Sequence, residues 1–280
     1  MLFDAKDLIN LDRYPIDSTG NQRNELIERT RAELGVDGCA VLKGFLSEKG
    51  IQALRAEADS VSSKGHRSFN RTNPYFTKDD PTLHSDDPRR AFFERSNNFI
   101  AADNFPSSGS LRTVHDFPAF DPFIRDCLEE EKFFRYADPL ADVIINMADA
   151  GNGFPWHFDT NNFTVTLAIQ NAESGGAFEY APNIRAGGEN FTEVRKVLDG
   201  TSDKIVTLEL EPGDLQLFRG RYSLHRVAPL DGNTPRYVAI FAYVEESDMV
   251  ATPERCKQLY GRALPVHYER AGLRADSFID

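Results

Sequence analysis

Seven short runs between residues 141 and 244 constrain this chain more than any other feature: ADVIINM, FTVTLAI, GAFEYA, KIVTLEL, DLQLF, YSLHRV and RYVAIFAYV. Val, Ile, Thr, Phe and Tyr dominate them, and Gly, Pro, Asn and Asp punctuate the gaps. Each run therefore reads as a strand ended by a turn. Strands this short and this regularly interrupted predict a sandwich or barrel rather than alternating βαβ units.

The part before residue 135 has a different texture. Leu26, Ile27, Thr30 and Leu34 recur at helical spacing, GCAVLKGF (Gly38 to Phe45) reads as a short strand, and Ser47 can cap a helix through Ile51, Leu54 and Ala58. FDPFIRDCLEEEKFFR (Phe120 to Arg135) reads as a helix with Pro122 in its first turn and Glu129, Glu130 and Glu131 on a solvated face. Ser62 to Pro106 is rich in Asn, Asp, Ser, Pro and Arg without a sustained period, which predicts a long lid or binding loop. From Pro253, PERCKQLYG predicts a helix followed by a polar tail. With no internal repeat and no low-complexity linker, the expectation is one domain over 1–280. It divides into a helical N-terminal part with a lid-like loop (1–135), a β core (136–246), and a C-terminal helix and tail (247–280).

The charge balance narrows the partners. Lys and Arg number 32 against 44 Asp and Glu, a formal charge of −12. Nucleic-acid binding draws on cationic neutralisation of phosphates, so that class is disfavoured. MLFDAKDLINLDRYP is not built as a secretory signal, and no apolar run approaches the roughly 18 residues of a membrane helix. Cys39, Cys127 and Cys256 are odd in number and widely spaced, as expected of reduced thiols in a cytoplasmic protein. A small-molecule substrate is the expected partner, with no nucleic acid and no membrane, and a homodimer is compatible with the sequence.

The chemistry concentrates in Trp156-His157-Phe158-Asp159. Residues two apart on a strand share a face, so His157 and Asp159 are expected to point together. An imidazole and a carboxylate are two-thirds of a 2-His-1-carboxylate set, which leaves open positions on iron(II). His225 lies in a later predicted strand, after a turn at Gly213 and Asp214 and a reversal at Gly220. Arg236 opens the last predicted strand, where a guanidinium could grip a carboxylate with a planar fork. Each element is weak alone; their order along successive strands makes His157, Asp159 and His225 the candidate metal ligands.

The segment from Asn146 to Val244 resembles the catalytic core of the iron(II)/2-oxoglutarate-dependent oxygenases. GGAFEYAPNIR, EPGDLQLFRGRYSLHRV and PRYVAIFAY are most similar to the group of free-amino-acid radical halogenases and their hydroxylating relatives. The resemblance implies a double-stranded β-helix (jelly-roll) core with flanking helices. It also implies iron(II), with 2-oxoglutarate and O2 as co-substrates, and hydrogen abstraction from an unactivated carbon with formation of succinate and CO2. Arg236 would hold the distal carboxylate of 2-oxoglutarate. Asn146 would be a further hydrogen-bond donor to 2-oxoglutarate or an ordinary structural Asn. Relatives often place a hydroxyl residue two positions after the arginine; here Val238 stands there, and Thr166 is the expected substitute contact.

Halogenating members of that group carry Gly or Ala in place of the acidic ligand, which leaves a coordination site for chloride. Asp159 occupies that place, so hydroxylation is the expected outcome, with desaturation or ring closure as alternatives. The implied substrate is a small polar amino acid or derivative, although a peptide or protein substrate stays open, as does a non-catalytic binding module. Arg95 is expected either to pair with a substrate carboxylate or to form a structural salt bridge. Phe154 and Trp156 either line the pocket or pack in the core. His66, His84, His115 and His267 are expected at the surface, and Arg226 on the face opposite His225.

Overall fold

The computed structural model describes residues 3–270. In chain order, α1 (Ala5–Leu8), α2 (Asn21–Asp37), β1 (Cys39–Leu42) and α3 (Glu48–Val61) come first. Next are β2 (His66–Thr72), β3 (Phe93–Ile100), α4 (Ser110–His115), α5 (Phe120–Leu128) and β4 (Phe134–Arg135). Then follow β5 (Val143–Ala148), β6 (Phe154–His157), β7 (Thr164–Gln170), β8 (Ser174–Gly175), β9 (Phe178–Ala181) and α6 (Phe191–Leu198). The last part holds β10 (Val206–Leu208), β11 (Leu215–Phe218), β12 (Leu224–Val227), β13 (Leu230–Asp231), β14 (Arg236–Phe241), β15 (Tyr243–Val244), α7 (Pro253–Tyr260) and α8 (Pro265–Arg270).

Two antiparallel sheets form the double-stranded β-helix. The larger runs β1-β11-β7-β14-β5-β3-β2, and the smaller β10-β9-β12-β6. Alternation along the strands of the larger sheet divides its two faces. Val143, Ile145, Val165, Leu167, Leu215, Leu217, Ala239 and Phe241 pack with Leu26, Leu34, Leu54, Phe120 and Phe123 from the helices. Each Val, Leu, Ile or Phe side chain among them, fully buried, contributes about 1.5–3 kcal/mol. This helical layer supplies the apolar burial, which leaves the other face free to carry polar groups. That face, with Ile144, Asn146, Thr164, Thr166, Gln216, Arg236, Val238 and Ile240, lines a cavity closed by the smaller sheet.

Several expected elements are observed. α2 buries Leu26, Ile27, Thr30 and Leu34, and Ser47 caps α3 by accepting from the Gly50 N–H at 3.0 Å. α7 ends at Gly261, which takes the left-handed conformation (φ 72°) that favours glycine at a helix end.

Other expectations need correction. The N-terminal part is not only helical: β1, β2 and β3 belong to the large sheet, so the β core is not confined to 136–246. Ser62 to Pro106 is not one long loop, because β2 and β3 pair from His66↔Phe99 to Thr72↔Phe93 and extend the sheet beyond β5. The reason is an inverted pattern: β2 buries Ser68 and Thr72 while Phe69 is 66% exposed. The helix expected over Phe120 to Arg135 stops at Leu128, where Glu129 turns left-handed (φ 58°, ψ 33°), and Phe134–Arg135 pair with β15. Glu129 and Glu131 are exposed; Glu130 is half-buried, and burial raises its carboxyl.

His84 is exposed, but His115 and His267 are fully buried. His115 sits against Phe241 and Tyr243, and burial pushes its imidazole down to about 3. His267 joins Asp138 at 3.1 Å, and Asp138 also accepts from the Ala251 N–H at 2.9 Å and the Cys256 thiol at 3.7 Å. These contacts tie both C-terminal helices to the strand layer. The expected polar tail, 271–280, lies outside the described residues.

Candidate active site

β6 and β12 are neighbours, and their register sets His157 opposite His225, with ring centroids 4.1 Å apart. Each ring turns Nδ1 to a backbone carbonyl two residues back, Pro155 at 2.8 Å and Ser223 at 2.9 Å. A carbonyl only accepts, so each Nδ1 carries a proton, and Nε2 is the ring atom turned towards the site. Both Nε2 atoms face Asp159 Oδ1, at 3.5 and 3.4 Å. Burial, with His225 beside it, holds His157 down to about 4, so its imidazole is neutral at neutral pH. Burial alone would raise the Asp159 carboxyl; the two histidines outweigh it and keep Asp159 ionised.

Asp159 lies just beyond the end of β6, not on the strand. Its place is fixed by its own N–H donating to the Gly220 carbonyl at 3.1 Å and by the Thr164 hydroxyl donating to Oδ2. A Cβ on Gly220 would fall 1.8 Å from that Oδ2, so the turn must be glycine for the carboxylate to sit here. The ligand atoms of His157, Asp159 and His225 all lie within 4.8 Å of one another. Two nitrogens and a carboxylate oxygen bonded at about 2.1 Å and at right angles would be about 3 Å apart. The set fits a divalent metal with little movement.

One end of the cavity, about 290 Å³ in all, is built from Asn146, Thr166, Gln216 and Arg236. Arg236 is 7% exposed, and among the described residues its guanidinium has no hydrogen bond or ion pair. Burial lowers it only to about 10, so it stays cationic at neutral pH. The Asn146 Nδ2 is likewise buried without an acceptor. A cation and an amide donor left unpaired in one pocket fit a carboxylate-bearing ligand. Thr166 lines the same end, but its hydroxyl proton goes to Gln216 Oε1 at 2.9 Å. It therefore offers a ligand only lone pairs, which weakens the expectation that it donates to the distal carboxylate.

A family model described as halogenase D matches residues 22–260. The chain belongs to the halogenase D family. This places it among the iron(II)/2-oxoglutarate oxygenases, oxidoreductases that use iron(II), 2-oxoglutarate and O2. Similar solved structures carry the fold. They include the α-ketoglutarate-dependent epimerase SnoN from nogalamycin biosynthesis (TM-score 0.56, 14% identity, 79% of this chain and 82% of that one). The carbocyclase SnoK of the same biosynthesis aligns at TM-score 0.55 and 13% identity, over 80% of this chain and 85% of that one. A prolyl hydroxylase from Trichoplax adhaerens, solved with a hypoxia inducible factor peptide, aligns at 0.54 and 15%, over 80% and 91%. Comparison with curated proteins returns no match.

The opposite end of this halogenase D family site is where the sequence was least informative. Arg95 is 2% exposed and makes no salt bridge among the described residues, which overturns the structural ion pair. Its Nε donates to Asn97 at 3.2 Å, its Nη1 has no partner, and its guanidinium lies 3.9 Å from the Phe154 ring centroid. Phe154 lines the cavity although it is three residues from His157, because the register of β6 and β12 slips between Val227↔Phe154 and His225↔His157. Trp156 does not line it: it packs with Tyr75, Phe158 and Leu224 on the far side, under the Arg226 guanidinium at 4.8 Å. Arg226 is on the face opposite His225, as expected, and pairs with Glu179.

Sequence reasoning missed Arg255 on α7, Phe76 in the loop after β2, and Gln216. The Phe76 ring lies tilted against His157, centroids 5.6 Å apart, and Phe76 holds φ at 58°, an unfavourable conformation for a bulky residue. That positive φ leaves no mark in the sequence, the half-buried Arg255 belongs to no motif, and Gln216, although inside EPGDLQLFRGRYSLHRV, is an ordinary strand position there.

Proposed function

We propose that the protein is a hydroxylase acting on a small molecule. In this reading His157, Asp159 and His225 hold iron(II), while Arg236 and Asn146 hold 2-oxoglutarate. The observation that carries it is Asp159 Oδ1 at 3.5 and 3.4 Å from the two imidazole Nε2 atoms. A carboxylate so placed fills the position a halide would need. Thr164 and the Gly220 turn hold it there, so chloride would have to displace a fixed ligand that also offsets metal charge.

Bound iron, with 2-oxoglutarate and O2, supplies the oxidising power for C–H hydroxylation, with succinate and CO2 as co-products. This chain's residues supply the rest. The fork of Arg236 orients the co-substrate's distal carboxylate, and Asn146 offers it a hydrogen bond. Arg95 offers a cation to the substrate, which supports an amino-acid-like carboxylate. Phe154 and Phe76 pack against His157 with tilted rings, at centroid distances of 4.1 and 5.6 Å, and shield it from bulk water. We read 1–280 as one catalytic domain, since β3, the central strands and α7 all contribute walls to one cavity.

The test is mass spectrometry of an amino-acid and carboxylic-acid panel incubated with protein, iron(II), 2-oxoglutarate and labelled O2 in chloride buffer. A product carrying one labelled oxygen is expected. A chlorinated product would overturn the reading, and loss of two hydrogens would replace hydroxylation by desaturation or ring closure.

A further inference from the structure

Among the described residues that line the cavity there are three arginines, Arg95, Arg236 and Arg255, and a single acid, Asp159. In the reading above Asp159 is committed to the metal and Arg236 to 2-oxoglutarate. Two cations therefore remain without a counter-ion at the substrate end. The two guanidinium carbons each lie 5.5 Å from the Phe76 ring centroid, so both converge on one aromatic side chain beside His157. Among the described residues, the further side-chain hydrogen bond of Arg255 is to a neutral group: its Nη1 donates to Gln258 Oε1 at 3.2 Å.

Nothing structural explains Arg255. It is in the first turn of α7, where the helix dipole disfavours a cation. It faces the cavity without an acid and lies near a second unpaired arginine. Burial lowers the affinity of both guanidiniums for their protons, and Arg255 further lowers that of Arg95. Yet α7 is held firmly: Thr252 accepts from the Arg255 N–H, and the Asp138, Cys256 and His267 contacts anchor the helix on the next residue. The chain thus holds a cation rigidly in an unfavourable place. The wall beside it is apolar, made of Phe99, Ile144, Ile240, Ala242 and Leu259.

We infer that Arg255 and Arg95 form a two-arginine clamp for an anionic group of the substrate, and that the substrate carries net negative charge on an apolar body. An ammonium group, whether the α-amine of a simple zwitterion or a basic side chain, would meet two guanidiniums and no free acid. The substrate class is therefore a carboxylic acid whose amine is absent, masked as an amide, or outnumbered by carboxylates. This rests on the hydroxylase reading for the roles of Asp159 and Arg236.

Two measurements on the full-length protein test it. In the first, protein loaded anaerobically with iron(II) and 2-oxoglutarate is titrated by calorimetry with four matched sets. These are simple aliphatic acids, N-acyl amino acids, dicarboxylic amino acids, and lysine or ornithine. Net anions are expected to bind best, and Arg255→Gln to weaken them about 10–100-fold, the scale of a lost charge-assisted hydrogen bond. The affinity for 2-oxoglutarate should not move. Preference for the cationic set, or an unchanged ranking in Arg255→Gln, overturns the proposal.

The second measurement needs no knowledge of the substrate. Replacing an unpaired, partly buried cation by an apolar side chain of similar length should stabilise the protein. Arg255→Met is expected to raise Tm by about 2–4 °C. A fall in Tm would show that Arg255 is structural and overturn the clamp. Absence of a visible charge-transfer band on anaerobic mixing of iron(II), 2-oxoglutarate and wild-type protein would instead count against the hydroxylase reading. The two failures are therefore distinguishable.

Discussion

The two ends of the cavity are built by opposite means. At the proposed metal end, each candidate ligand has a support close in sequence, His157 in Pro155, His225 in Ser223 and Asp159 in Thr164, and only Asp159 adds a distant one, the Gly220 carbonyl. At the substrate end, Arg95, Phe76 and Arg255 come from β3, a loop and α7, and meet only in the folded chain. The metal end is hydrogen-bonded and close to complete; the substrate end holds buried charge without a partner. A fixed reaction needs a pre-organised first end, whereas specificity can be changed at the second without disturbing the first.

The largest effect that bears on this contrast is loss of a metal-end residue. His225→Ala should abolish both turnover and the visible band of the iron(II)–2-oxoglutarate complex, whereas Arg95→Gln should keep the band. Loss of the band in both variants would break the contrast. Next comes Gly220→Ala, which leaves every proposed ligand residue in the sequence. Its Cβ would displace the Asp159 carboxylate, and we expect iron affinity, read by metal titration, to fall about 10–100-fold with the fold intact.

Smaller still is Arg236→Lys. The charge stays but the planar fork is lost, so KM for 2-oxoglutarate should rise about 10-fold with kcat little changed. A large drop in kcat at saturating co-substrate would mean Arg236 also acts on the reacting centre. The least effect on turnover is expected from His115→Phe, remote from both ends. The folded-state value of His115, about 3, lies below the ordinary 6.5, so the unfolded chain takes up the proton first. Its neutral form leaves stability intact above pH 6.5 and costs up to about 1.4 kcal/mol per pH unit as pH falls towards 3. Denaturant unfolding of His115→Phe should show a flatter acid limb; an unchanged limb would count against His115 as its source.

Legibility in the sequence followed this same division. The strand runs from Ala141 to Val244, the order of His157, Asp159, His225 and Arg236, and the Ser47 cap were visible because periodicity and caps act over a few residues. β2 and β3 were not, because their buried face is polar (Ser68, Thr72, Arg95, Asn97) and their apolar Phe69 faces solvent. Phe154 and Trp156 could not be told apart as pocket or core, because the register slip that turns Phe154 inward depends on pairing with β12. His115 and His267 looked like surface residues since their burial comes from remote partners, Tyr243 and Asp138.

By itself the sequence determined a core of short strands with His157, Asp159, His225 and Arg236 in order along it, since strand alternation and motif order are local properties of the chain. Only the tertiary structure decided where charge would lie unpaired. Whether Arg95 finds a carboxylate, and whether Arg255 faces solvent or a cavity, depends on segments some 160 residues apart closing on one another. Burial and Coulomb energies are set by that closure, and no periodicity along the chain encodes it.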